Sequence, residues 1–494
     1  MTIGSLRAQD FSTQLMDQYS EFKESTLSHR RFKHKDLVPL IEQLPARGFR
    51  VQEAGKSYQG RNIYLISIGS GPITVLLWSQ MHGNEATATM AMFDIFNFLG
   101  RPDSEAVKKL LSGMTLYFIP MLNPDGAELF QRRTAQGIDM NRDALALTCP
   151  ESAILKSVRD SIQAQWGFNL HDQNIYYNVG STEKTATISF LAPAYNQEKD
   201  TNPGRADAMK VIAVMNESLQ LLIPGQVGKY DDTFEPRAFG DNMQKWGTST
   251  ILIESGAFAG DPEKQFIRQL NFMTILTALS SIERAGFTKY KLQSYWDIPL
   301  NNSNLNDVII RKVQVGLSPG PPFLVDIAIR REEFDVGGDD PVYYRGTIED
   351  LGDLSTQYGY QEINAEGLDY APALVYPEVL AHPGSLGEQM VRELLQQGYG
   401  YVIRQQHTDQ QHIYPPNPRY ISGRGSTDDA PGQRNTNFPF DVVDAGFVPP
   451  AGPKVEKPAT FLLKKDGKIK YVVINGFVHE IDGKPNDSAN GWIY

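Results

Sequence analysis

His82 and Glu85 stand three positions apart in Gln80-Met81-His82-Gly83-Asn84-Glu85, directly after an apolar run at residues 74–78 and directly before a helix-like segment. An imidazole and a carboxylate at that spacing on a strand-to-helix turn can converge on one cation, with Gly83 letting the backbone turn sharply. His171 ends the strand-like Phe168-Asn169-Leu170, and α/β proteins gather ligands beyond the carboxyl ends of their strands. A catalytic zinc takes three protein ligands and keeps a fourth position for water. His82, Glu85 and His171 supply that count. Taken singly, a His-x-x-Glu pair is more often a solvated helix face, and a lone His171 a buried, hydrogen-bonded histidine. Cys149 is the single cysteine, so no intrachain disulfide forms and a cysteine-held zinc site is excluded.

A third group of residues makes the pattern specific. Asn123-Pro124-Asp125-Gly126 forms a turn after the apolar run at 115–121, followed by Arg132-Arg133 and by Gly137-Ile138-Asp139-Met140-Asn141-Arg142. With the HxxE pair, this order resembles the zinc carboxypeptidases of the carboxypeptidase A type. Their pattern is an HxxE ligand pair, an NPDG turn, a positioned arginine and a G-[VI]-D-x-N-R stretch. The resemblance extends to His171 and to Ile251-Leu252-Ile253-Glu254-Ser255-Gly256, which is similar to the family's final strand bearing the catalytic glutamate. It covers roughly residues 37–286.

Carried over residue by residue, the resemblance implies one zinc ion per chain, held by His82, Glu85 and His171. It implies a zinc-activated water with Glu254 as general base, passing a proton to the leaving amine. Arg132, rather than its neighbour Arg133, matches the arginine that supports the developing oxyanion. Asn141 and Arg142 match the pair that grips the terminal carboxylate of the substrate, a task suited to a planar guanidinium that can bind both oxygens. Asp139 stands where the family places a carboxylate that orients a zinc histidine, a buried salt-bridge aspartate being its other reading. Asp143 would continue that polar cluster. Tyr230 is the nearest candidate for the family's mobile tyrosine. The implied activity is a metallocarboxypeptidase acting on peptides or peptide-like substrates with a free C-terminal carboxylate.

Two positions depart from the pattern. Thr134 stands where an asparagine is usual, and Ala144 where an aromatic is common, so the substrate pocket is expected to be reshaped. A zinc-dependent N-acyl amino acid deacylase, like aspartoacylase or succinylglutamate desuccinylase, shares an HGNE-type ligand pair and an Asn-Arg pair. The NPDG turn and the long C-terminal region argue against it. A non-catalytic binding protein on the same fold would be expected to lack a ligand or the glutamate, and all four are present.

The elements that must position these residues follow from periodicity. Strand-like stretches at 63–68, 74–78, 115–121, 168–170 and 249–253 alternate with helix-like ones at 86–99, 152–164 and 208–222. This predicts an α/β fold, a mixed central sheet flanked by helices on both faces. Asp261-Pro262 is expected to open a further helix that runs to Gly286 and closes the domain. The organisation expected is an N-terminal lead-in at 1–36, a carboxypeptidase-like catalytic domain at 37–288, a linker and α/β region at 289–414, and a Pro/Gly-rich segment with a β-meander at 415–494. Gly316–Pro322 reads as a loop or linker, and 385–397 as a helix leading through Gly398 into a strand. Asp466-Gly467, Asn475-Gly476 and Asp482-Gly483 signal tight hairpins. The additional C-terminal region is therefore α+β or β-rich.

At 494 residues, with 41% hydrophobic and 21% charged residues, the composition is that of a folded protein with a large core. A net charge of −11 opposes attraction to nucleic acid. No run suits a membrane span and the first residues lack a secretory pattern, so a cytoplasmic location is the expectation. His407 and His412 are read as a solvated loop rather than a second metal site.

Overall fold

The apolar runs at 74–78 and 249–253 fold as strands buried on both faces, which is why they lack the alternation of a half-exposed strand. A computed structural model describes residues 8–335, 342–380, 386–404 and 439–481. The chain divides at Ser303, giving units Met1–Ser303 and Asn304–Ile493. In the first unit the order is α1 (Ala8–Asp17), α2 (His34–Glu42), β1 (Arg50–Lys56), β2 (Asn62–Gly69), β3 (Ile73–Ser79), α3 (Thr87–Leu99), α4 (Glu105–Gly113), β4 (Met114–Ile119) and α5 (Pro124–Glu128). It continues with α6 (Pro150–Ile162), β5 (Trp166–Asp172), β6 (Asn178–Val179), β7 (Ile188–Leu191), α7 (Pro203–Leu219), β8 (Val227–Lys229), α8 (Phe239–Lys245), β9 (Ser249–Ser255), α9 (Gln265–Glu283), α10 (Gln293–Trp296) and β10 (Asn301–Asn302).

Eight of these strands form one mixed sheet in the order β1-β2-β4-β3-β5-β9-β7-β8. Its centre, β4-β3-β5-β9, is parallel, while β1-β2, β2-β4 and β7-β9 are antiparallel. Successive side chains leave a strand on opposite faces, and the core divides accordingly. Val75, Leu77, Phe168 and Leu170 join residues of α3, α7 and α9 on one face. Leu76 and Trp78 join Leu155 and Val158 of α6 and Phe239 and Met243 of α8 on the other.

The lead-in residues Leu15, Tyr19, Phe22, Leu27 and Phe32 lie in the same core cluster as α3 and α9, as do Tyr295 and Ile298 beyond Lys289. Arg268 of α9 fastens this packing: fully buried, it reaches Asp94 of α3 with Nε at 2.7 Å and the Glu24 carbonyl with Nη2 at 2.8 Å. The helix α9 begins at Gln265 rather than at Asp261-Pro262. Asp261 still caps it from outside, accepting the N–H groups of Gln265, Phe266 and Ile267 at 2.7, 2.8 and 3.1 Å.

The second unit contains β11 (Leu305–Val315), β12 (Phe323–Asp335), β13 (Val342–Gly352), β14 (Tyr358–Asn364), β15 (Asp369–Pro372), β16 (Leu374–Leu380), α11 (Glu388–Gln397), β17 (Tyr399–Arg404), β18 (Asp441–Val443), β19 (Phe461–Lys465), β20 (Lys468–Ile474) and β21 (Phe477–Glu480). Eight of the strands form a sheet β13-β12-β11-β15-β19-β20-β21 with β14 also on β11, and β16-β17-β18 form a small parallel sheet. The extra region is thus β-rich. The 316–322 loop joins the antiparallel β11 and β12 inside this unit. Asp466 and Gly467, and Asn475 and Gly476, all have positive φ, the conformation a two-residue hairpin turn requires. His407, His412, Asp482-Gly483 and residues 415–438 lie outside the described residues. Among the described residues, no helix is long and apolar enough to cross a membrane.

Candidate metal centre

The strand β3 ends in a turn whose left-handed residue is Gln80, with φ 47°, while Gly83 keeps φ outside that region. Gly83 is thus needed for something other than the sharp turn read from the sequence. A Cβ there would lie 2.0 Å from the Gly126 carbonyl carbon and 2.2 Å from the Ala127 nitrogen. The turn bearing His82 is pressed backbone to backbone against the Asn123–Gly126 turn. Asn123 braces it, donating to the Met81 carbonyl at 3.2 Å and accepting from Gly126 N at 2.9 Å. Asp125 faces away, accepting from Ser57 Oγ, Gln59 N and Arg61 Nη1.

From this turn and from β5, His82, Glu85 and His171 converge, with one ligand atom from each lying within 4.8 Å of the others. The two Nδ1 atoms sit 2.7 Å from separate oxygens of Glu85, His82 at Oε1 and His171 at Oε2. His82 Nε2 is 3.0 Å from Asp139 Oδ1. In the neutral ring, donation there leaves the Nδ1 lone pair to ligate a cation. His171 Nε2 is buried without a partner among the described residues. Two imidazole nitrogens and a carboxylate aimed at one point form a zinc donor set. The residues present therefore fit the ion.

Protonation agrees with this in part. Burial opposes charge on Glu85, but the two imidazoles outweigh it and hold the carboxyl well below the usual range. Burial lowers the pKa of His171 despite Glu85. An ionised carboxylate and a neutral imidazole are the ligand forms a cation requires. For His82 burial lowers the pKa, but the carboxylates Glu85 and Asp139 outweigh it and the net shift is upward.

Arg132 and Arg133 part company. Arg132 Nη1 lies 3.1 Å from Glu85 Oε1 and Nη2 3.1 Å from Asp139 Oδ2, whereas Arg133 Nη1 donates to the Gly137 carbonyl at 3.0 Å. Glu254 sits on β9 directly opposite His171 of β5. Burial raises the pKa of its carboxyl, and the charges of Glu85 and Asp172 add to that. Tyr230 packs against Tyr177 with ring centroids 5.5 Å apart; burial and then the charge of Glu254 push its phenol far above the ordinary value.

Asn141 and Arg142 belong to a 3-10 turn, Met140–Arg142, capped by Asp139. Asn141 Oδ1 accepts the Phe239 N–H of α8 at 2.9 Å, and Arg142 Nε lies 3.4 Å from Glu235 Oε2. Asp143 belongs elsewhere: it accepts the Thr148 and Cys149 N–H groups at 3.0 and 2.9 Å. Thr134 is buried against Cys149, Oγ1 to Sγ 3.8 Å. Sequence reasoning missed Glu235, which engages Arg142, and the residues packed beside the centre, Asp172 with Thr87 and Lys264, whose side chains meet at Asp172 Oδ2. Asp172 was visible as a charge beside His171; the others carry no local signal.

Residues 40–186 match the model of the zinc carboxypeptidase family. Among curated relatives, the zinc carboxypeptidase of Saccharothrix mutabilis subsp. capreolus is 32% identical over 87 residues, 16% of this chain and 20% of that protein. Carboxypeptidase 2 of Trichophyton rubrum is 30% identical over 131 residues, 24% of each. The chain thus spans only a fifth to a quarter of the length of these relatives. Among solved structures, a metallo-carboxypeptidase from Pseudomonas aeruginosa in complex with (2-guanidinoethylmercapto)succinic acid is 20% identical, with a TM-score of 0.42, over 51% of this chain and 69% of that one.

Proposed function

We propose that the chain is a zinc-dependent metallocarboxypeptidase that hydrolyses the C-terminal peptide bond of peptides or peptide-like substrates bearing a free terminal carboxylate. The observation that carries this reading is the convergence of His82, Glu85 and His171 with Glu254 in register beside them. A bound zinc ion supplies Lewis acidity toward a carbonyl and lowers the pKa of water. The chain's own contributions follow from its side chains. Glu254, with its raised proton affinity, takes the proton from the attacking water and returns it to the leaving amine. Arg132, at the rim, offers N–H groups to the developing oxyanion, a contribution of roughly 2.7–4 kcal/mol for one such donor.

Arg142 and Asn141 grip the terminal carboxylate. Because Arg142 is engaged by Glu235 in the resting chain, a substrate carboxylate must compete with that side chain. The test is a panel of peptides with free or amidated C-termini, read by mass spectrometry with and without chelator. Chelator-sensitive loss of one C-terminal residue from the free acids alone is the expected outcome. Cleavage of N-acyl amino acids with no action on any peptide would replace this reading with the deacylase.

A further inference from the structure

Lys264 is 5% exposed, rare for a lysine, and it has φ 51° at the start of α9. A non-glycine residue in the left-handed region persists only where its surroundings hold it. Backbone bonds to Asp261 and Arg268 hold the turn, its N–H donating to the Asp261 carbonyl at 3.0 Å, and the side chain adds contacts of its own. Lys264 Nζ lies 3.0 Å from Asp172 Oδ2 and donates to the Ser255 carbonyl at 3.0 Å. Asp172 and Ser255 are a register pair, one step past the pair His171 and Glu254. One ammonium thus ties β5 to β9 immediately beyond the metal ligand on one and the base on the other.

The tie reaches the third element as well. Thr87 Oγ1, at the first residue of α3, donates to Asp172 Oδ2 at 2.6 Å, and Asp172 N donates to Glu85 Oε2 at 3.2 Å. Glu85, His171 and Glu254 therefore each lie within two residues of a tied residue, Thr87, Asp172 and Ser255 respectively. The pair also differs from the buried ion pair of Arg268 and Asp94. Asp94 has both oxygens bonded, by Arg268, Tyr19 Oη and Glu24 N, as a purely structural pair requires. Asp172 Oδ1 is buried with no partner among the described residues, the kind of local shortfall that proteins tolerate at functional sites.

We propose that Lys264, acting through Asp172 and Thr87, is a positioning residue that sets the placement of His171, Glu85 and Glu254 around the metal. This rests on the carboxypeptidase reading only for its kinetic part. The test compares Lys264→Met/Asp172→Asn, which leaves no uncompensated charge, and Thr87→Val, which removes one hydroxyl bond. Zinc affinity is measured by competition with a chromophoric chelator, alongside thermal stability, kcat and KM on a peptide the wild type cleaves. Loss of an outer partner of a metal site weakens binding by about 10–100-fold. The double variant is expected to bind zinc at least about tenfold more weakly while folded, with kcat reduced and KM little changed, and Thr87→Val to follow in smaller degree. Zinc affinity within twofold of wild type in both folded variants would overturn the proposal. If the double variant does not fold, Thr87→Val decides alone. Absence of peptide cleavage by the wild type would instead sink the carboxypeptidase reading and leave the zinc comparison standing.

Discussion

His82 uses its two ring nitrogens for different tasks, and that division can be tested apart from turnover. Nε2 faces Asp139 and Nδ1 faces Glu85, so Asp139 decides which nitrogen carries the proton. Asp139→Asn keeps the shape but presents an amide of either polarity. It should weaken zinc binding by about 10–100-fold, read by chelator competition, and wild-type affinity would remove Asp139 from the site. Glu254→Gln should behave oppositely, retaining zinc while kcat falls about 10²–10⁴-fold; normal turnover would remove Glu254 as the base. Both residues were legible in the sequence because they fall inside ordered motifs. Glu235 and Lys264 were not, since their roles arise from contacts across the fold: Glu235 meets Arg142 and Lys264 meets Asp172, and neither spacing repeats any local rule.

The elements were read best where burial gives a one-sided signal. The central strands β3, β5 and β9 and the helices α3, α6 and α7 lie close to the positions expected from periodicity. β7, β8 and α8 were not anticipated, and each is seven residues or shorter, too brief for a period to register. Gly83 illustrates a subtler limit. Its presence was visible, but its reason was assigned to the wrong physics, because the close approach of Gly126 is a contact between segments about forty positions apart. The structure makes the consequence specific. Gly83→Ala keeps an accessible backbone conformation yet forces two turns apart, costing on the order of 1–3 kcal/mol. Chemical denaturation should record that loss, and zinc affinity should fall with it as His82 and Glu85 shift. A variant with both unchanged would mean that the two turns are free to separate without disturbing the ligands.

At the scale of the whole chain, each unit has a core of its own, and the second offers a pH-dependent stability test independent of the metal centre. Its β-meander was legible from Asp466-Gly467 and Asn475-Gly476, whereas β11 to β13 were not, the 316–322 stretch between β11 and β12 reading as a loop or linker. Asp441, on β18 beside β17, is buried, with one oxygen bonded to Thr460 Oγ1 and the other without a partner among the described residues. Burial pushes its carboxyl from 3.8 up to about 7. Below the lower value both folded and unfolded chains hold the proton and no difference arises. Between the two values the unfolded chain releases it while the folded chain keeps it, so stability falls as pH rises, and above about 7 the loss is constant. Asp441→Asn holds the neutral form at every pH. In calorimetric melts the variant should match the wild type near pH 4 and melt progressively higher than it as pH climbs to 8. A difference between the two proteins that does not change with pH would mean that Asp441 ionises in the folded unit as readily as in the unfolded chain.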